Sequence, residues 1–183
     1  MNNEKSKVIN IEDISMSLNF DDIYNEYFNR VYKFCSYRVN NQEDAKDLAS
    51  DIFVKIYKNI NSFNPNKSNL AVWIFTIARN SLTDYYRKKS RNKLISIDKF
   101  KDFFFSEKYV EDNLEEYEEK EYLRKSIRAL NEREQKIIAY KFGAELSNKE
   151  ISEIMEISYE NVSVILYRSI RKLKKEMEQY YEK

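Results

Sequence analysis

An all-α fold is predicted by three features of this sequence. A single glycine and a single proline among 183 residues leave no supply of the turn residues that strand reversals need. Apolar side chains recur at three- and four-residue intervals through most of the chain, the period of an amphipathic helix. Where that period breaks, the interruptions are short and polar, such as "NNQED" and "NSFNPNKSNL".

The elements follow in order. After a polar tail at 1–19, Phe20, Ile23, Tyr24, Tyr27, Phe28, Val31, Phe34, Cys35 and Val39 mark a first helix. Cys35 is the only cysteine, so it has no internal disulfide partner and reads as a small core residue. A second helix carries Ala45, Leu48, Ile52, Phe53, Ile56 and Ile60 inward and Asp44, Asp47 and Asp51 along another face. The loop at 61–70 holds the one proline. From Leu70 to Ala78 the chain is nearly all apolar, and the pattern continues through Leu82 and Tyr86. This length predicts a third helix, well buried in its first half, rather than a strand. Its far end gathers Arg87, Lys88, Lys89, Arg91 and Lys93.

Residues 93–120 are predicted to be an acidic linker. They include three adjacent phenylalanines, and between Lys108 and Glu121 seven acids face two lysines. Helical spacing returns with Leu123, Ile127, Leu130, Ile137, Ile138 and Tyr140. "LSNKEISEIMEISYENVSVILYRSIRKLKK" then reads as two helices about a three-residue turn. Ser147 and Ser158 are set to cap them, and Glu150 completes a capping box with Ser147. Ile151, Met155, Ile157, Val162 and Ile165 stand where a helix-turn-helix needs apolar groups, and Ser152 is the small residue at the close approach. Glu156 occupies the turn position that favours glycine, where a left-handed backbone costs a non-glycine residue about 1 kcal/mol. By this pattern alone, a plain helical hairpin remains an alternative.

Composition narrows the function. Lys+Arg at 32 and Asp+Glu at 31 nearly cancel, so any nucleic-acid binding must come from local segregation of charge. With no histidine, imidazole bases and the usual zinc sets are unavailable; neither a metal nor a cofactor is expected, and no residues support an enzyme. The N-terminal stretch has no run suited to a signal peptide or membrane span, which predicts a cytoplasmic protein with no membrane partner.

Three segments together are more specific. "NQEDAKDLASDIFVKIYKNI", "AVWIFTIARNSLTDYYRKKSR" and "LNEREQKIIAYKFGAELSNKEISEIMEISYENVSVILYRSIRKLKK" resemble, in order and spacing, the bacterial RNA polymerase sigma factors of the sigma-70 family. The similarity is to the short extracytoplasmic-function group, which retains only regions 2 and 4. It implies region 2 over 20–92 and region 4 over 121–183. The expected partners are core RNA polymerase, through the clamp helices of its largest subunit and its flap, double- and single-stranded promoter DNA, and an anti-sigma factor. The resemblance implies that Asp44, Asp47, Asp51 and Lys55 meet the polymerase. It implies that Asn64 and Lys67 lie in a loop receiving a flipped base of the minus-ten element. Arg79, Asn80, Asp84 and Arg87 would face that element, with Lys88 and Arg91 on its phosphates. Tyr159, Glu160, Ser163, Val164 and Tyr167 would face the groove of the minus-thirty-five element, and Arg168, Arg171 and Lys172 would clamp phosphates. Trp73, within "AVWIF", reads as core rather than as a stacking platform. The competing reading is a stand-alone helix-turn-helix regulator that binds DNA without polymerase.

Overall fold

The computed structural model describes residues 19–39, 41–93 and 114–182. The readings that fall on the N-terminal tail and on residues 94–113, including the phenylalanine run, lie outside the described residues. Among the described residues there are helices and no strand. Helix α1 (Phe20–Ser36) is capped by Asn19, whose side chain accepts from the Asp21 N–H at 3.0 Å, with Asp21 and Asp22 in the positive first turn. Helix α2 (Gln42–Asn59) is capped by Asn41. A 3-10 turn (Ile60–Ser62) leads into the proline-containing loop, and helix α3 covers Leu70–Lys93.

These three helices share one apolar centre. Val31, Phe34 and Cys35 of α1, Ile52 and Ile56 of α2, and Ile74, Phe75 and Ala78 of α3 are all buried. Each large side chain so buried stabilises the fold by about 1.5–3 kcal/mol relative to exposure. Burial also pushes the Cys35 thiol up to about 12, so it stays protonated. Trp73 is half-buried and packs on Phe63 at 5.5 Å between ring centres, as a core residue would.

The second unit comprises α4 (Leu114–Ala129), α5 (Glu132–Ile138), a π-helical turn (Ala139–Gly143), α6 (Asn148–Met155) and α7 (Tyr159–Tyr181). Helix α4 crosses the expected linker boundary at 120 and packs against α7. The predicted turn between α6 and α7 is Glu156–Ser158, and Glu156 adopts φ 56° and ψ 43°, the left-handed conformation expected there. Ile151 and Val162 are fully buried, while Met155, Ile157 and Ile165 only pack at the margin, where Ile154 and Leu166 complete the core. Two features lacked a sequence signal: the π turn, closed by the Ala144 N–H to the Ala139 carbonyl at 2.9 Å, and a left-handed Glu145.

The two units touch. The π turn packs on α1, and α6 packs on α3. Phe34 stacks on Tyr140 with ring centres 4.9 Å apart, joining the two apolar centres.

Candidate polymerase and nucleic-acid surfaces

The acidic face of α2 divides in two. Asp47 and Asp51 are exposed and unpaired with any cation among the described residues. Asp44 turns back into its own fold. Its carboxylate accepts from Tyr85 Oη at 2.5 Å, from Lys89 Nζ at 3.2 Å and from Asn41 Nδ2 at 2.9 Å, and Lys89 also donates to Tyr85 Oη at 2.8 Å. Partial burial alone would raise this carboxyl; the bonds from Tyr85 and Lys89 outweigh it and hold Asp44 below the usual carboxylate value. Lys55 likewise reaches across to α3, 2.9 Å from Ser81 Oγ and 3.6 Å from Asp84. Asp44 and Lys55 therefore tie α2 to the helix beside it, and the free charges of this face are Asp47 and Asp51.

On α3, Asn80, Asp84, Arg87, Lys88 and Arg91 are exposed at helical spacing on one face, opposite the buried row of Ile74, Phe75, Ala78 and Leu82. Arg87 lies 3.7 Å from Asp84, and Lys88 and Arg91 have no acidic partner among the described residues. Arg79 is different: its guanidinium donates to the Ile154 carbonyl and lies 3.8 Å from Glu156, both in the second unit. In the loop before α3, Asn64 Oδ1 accepts from the Asn66 N–H at 2.9 Å and its carbonyl from the Lys67 N–H at 3.0 Å, which leaves the Lys67 side chain in solvent.

The helix-turn-helix is well capped. Ser147 and Glu150 form a reciprocal capping box on α6, and Ser158 Oγ accepts from the Asn161 N–H at 3.2 Å on α7. Glu160, Val164, Tyr167, Arg168 and Arg171 are exposed along one face of α7, and Tyr159 is exposed at its first position; Val164 and Tyr167 are 46% and 63% exposed, high for apolar residues. Ser163 is half-buried and accepts from Asn148 Nδ2 at 3.1 Å. Arg171 lies over the Tyr167 ring at 5.8 Å. Lys172 does not join Arg168 and Arg171, because its ammonium is bonded at 2.5 Å to Glu134, whose side chain is only 7% exposed.

Burial would raise the Glu134 carboxyl, yet the Lys172 ammonium and the Asn131 N–H hold it below the ordinary glutamate value of 4.5. A carboxyl lowered on folding stabilises the native state above its unfolded pKa, and that contribution is lost as pH falls through the folded pKa. Stability of the second unit is thus expected to fall as pH drops below about 4.5, and Glu134→Gln should flatten that fall while lowering stability at pH 7. Lys172→Ala is expected to cost about 1–2 kcal/mol at neutral pH. Denaturant melts followed by far-ultraviolet circular dichroism across pH check both.

Sequence reasoning missed the residues that join the units: Arg30, which donates to the Ala144 carbonyl at 2.9 Å, Arg38, and Gly143. Their partners lie about a hundred positions away in sequence, so no local pattern marks them.

A family profile described as Sigma-70 region 2 matches residues 23–92, and one described as Sigma-70, region 4 matches residues 127–175. The chain is 31% identical over 157 residues to the ECF RNA polymerase sigma factor SigM of Bacillus subtilis (strain 168), covering 86% of this chain and 94% of that protein. The chain belongs to the extracytoplasmic-function sigma factors. A second Bacillus subtilis relative, the RNA polymerase sigma factor YlaC, is 30% identical over 161 residues, 86% of this chain and 91% of its own. The fold of this sigma factor is also that of the sigma factor RpoE crystallised with the anti-sigma factor NepR from Bartonella quintana. That match has a TM-score of 0.68 at 21% identity, over 87% of this chain and 96% of that one. Among the described residues, no helix of the sigma factor is long and apolar enough to cross a membrane.

Proposed function

We propose that this sigma factor directs core polymerase to promoters through two reading surfaces, region 2 over 20–92 and region 4 over 121–183. The observation that carries the reading is the exposed row of Asn80, Arg87, Lys88 and Arg91 on a helix whose opposite side is packed. A rigid helix with cations spaced along one face suits a phosphate backbone, and Asn80 among them can hydrogen-bond a base edge. The loop carrying Asn64 and Lys67 would take the base that leaves the stack. On α7, exposed Val164, Tyr159 and Tyr167 suit thymine methyls better than guanine, which favours an A/T-leaning minus-thirty-five element, with Arg168 and Arg171 on the flanking phosphates. Asp47 and Asp51 would hold the polymerase, and a protein of the anti-sigma class, as in the RpoE–NepR complex, is the matching inhibitor.

Selection from a randomised promoter with reconstituted holoenzyme tests this. Replacing Lys88 or Arg91 by Ala should weaken all promoters alike and reduce the salt slope by about 0.9 in log K per log salt for each phosphate left without its cation. Asn80→Ala should instead change which minus-ten sequences are preferred. A G/C-rich upstream consensus, or uniform loss for Asn80→Ala, would contradict the assigned roles. Specific binding of the free chain to a two-fold DNA site would favour the stand-alone regulator.

A further inference from the structure

We infer that the cavity between the end of α1, helix α3 and helix α5 is a binding site for a small nucleotide, whose two or more phosphates are held by Arg38, Arg87, Arg91 and Lys136 and whose base lies against the Tyr86 ring. The cavity measures about 890 Å³, within the roughly 300–1,000 Å³ of pockets that enclose a small molecule. Its deep side is apolar, where Phe34, Leu82 and Tyr140 are buried. Among the described residues that line it, the cations of Arg38, Arg79, Arg87, Arg91 and Lys136 face one carboxylate, Glu132. A chain whose charges nearly cancel overall thus gathers one sign around a concave surface, and such a surface concentrates anions.

Arg38 points most directly to a ligand. It follows the last turn of α1 and is only 8% exposed. Its Nη1 donates to Gln135 Oε1 at 3.2 Å, but its Nε is buried and has no hydrogen-bond partner among the described residues. Buried polar groups are nearly always paired, and leaving an N–H of a cation unpaired is costly. A phosphate in the cavity supplies the missing acceptor, because a guanidinium edge can donate two parallel bonds to phosphate oxygens. Tyr86 is fixed beside it: its hydroxyl donates to the Arg38 carbonyl, and the Arg38 guanidinium carbon lies 6.0 Å from its ring centre. That ring is 39% exposed, which leaves room for a planar base to stack.

The remaining cations differ in how far they are committed. Lys136 pairs with Glu132 at 2.7 Å and Arg87 with Asp84 at 3.7 Å, both exposed pairs that an incoming phosphate can displace. Arg91 has no acidic partner among the described residues. Arg79 donates to the Ile154 carbonyl and lies near Glu156, so it lends charge rather than a free donor. Thr83 and Gln135 also line the cavity, but Thr83 donates its hydroxyl to the Arg79 carbonyl and Gln135 its amide to the Arg128 and Leu130 carbonyls. Neither side chain is free to read a base edge, so phosphates and a stacked ring carry the recognition.

The test titrates ADP into the free full-length chain and follows binding by calorimetry; with neither polymerase nor DNA present, the result is independent of the promoter-reading role. ADP should bind, and more weakly as salt rises. Adenosine, without phosphates, should show no binding at about 1 mM, and inorganic pyrophosphate, without the ring, should bind at least about threefold more weakly than ADP. Absence of ADP binding at about 1 mM would overturn the site, and pyrophosphate binding as tightly as ADP would overturn its assignment to a nucleotide. Arg38→Gln should abolish the binding. Because that residue is buried, the exposed rim provides a second variant: Arg91→Gln with Lys136→Gln should weaken ADP about tenfold or more with circular dichroism unchanged, while Lys58→Gln, an exposed cation at the end of α2, should leave it as in wild type. Wild-type affinity in the folded rim variant, or an equal loss with Lys58→Gln, would overturn the site.

Discussion

Asp47→Arg is expected to remove the association of this sigma factor with core RNA polymerase, and Asp51→Arg to weaken it in the same direction. Both carboxylates are exposed on α2 and lack cationic partners among the described residues, unlike Asp44, which Tyr85 and Lys89 hold. Reversing an exposed charge leaves the core of Ile52, Phe53 and Ile56 intact, so the melt should stay within about 0.5 kcal/mol of wild type. At a complementary interface, a like charge placed against a cation costs several kcal/mol, and about 3–4 kcal/mol corresponds to a loss in affinity on the order of several hundredfold. Co-purification with core polymerase measures it. Wild-type recovery of polymerase by both variants would move the interface elsewhere. Asp44→Asn should behave differently, loosening α2 from α3 before it touches polymerase binding.

Phe75→Ala should have the largest effect on stability. Its ring is fully buried on α3 and meets Phe34 edge-on at 5.6 Å, so truncation removes both transfer energy and packing at the centre of the molecule. The expected cost is about 3–5 kcal/mol, a large part of the roughly 5–15 kcal/mol typical of a whole domain. Denaturant unfolding should show a lowered midpoint. Because the buried half of α3 fixes the angle at which Asn80, Arg87 and Lys88 are presented, promoter-directed transcription should fall even where the chain remains folded. A loss of stability below about 1 kcal/mol would mean that Phe75 is not central to the core.

Most helices could be read from the sequence because each rests on local chemistry: the three-and-four spacing of Val31, Phe34 and Cys35, the Ser147–Glu150 capping box, the proline-bearing loop before α3. Even the left-handed turn at Glu156 follows from local pattern, since the apolar residues on either side demand a three-residue reversal there. The charged residues were harder to place. Asp44, Asp47 and Asp51 recur at similar spacing on one helix, and only the position of Tyr85 and Lys89, some forty residues on, separates the first from the others. Lys172 follows Arg171 directly but faces Glu134 on a different helix. The role of Gly143 is set by the backbone of Phe34 across the contact between units, and a glycine within a helical stretch carries no mark of what it must avoid.

Promoter-directed initiation is tested most directly by adding the purified chain to sigma-free core polymerase with fragments of its own genome and mapping transcript starts. New starts are expected, absent with core alone, that share a pair of upstream elements and are lost with Asp47→Arg. No new start site with the wild-type chain, under conditions where core polymerase elongates from primed templates, would contradict a promoter-directing role.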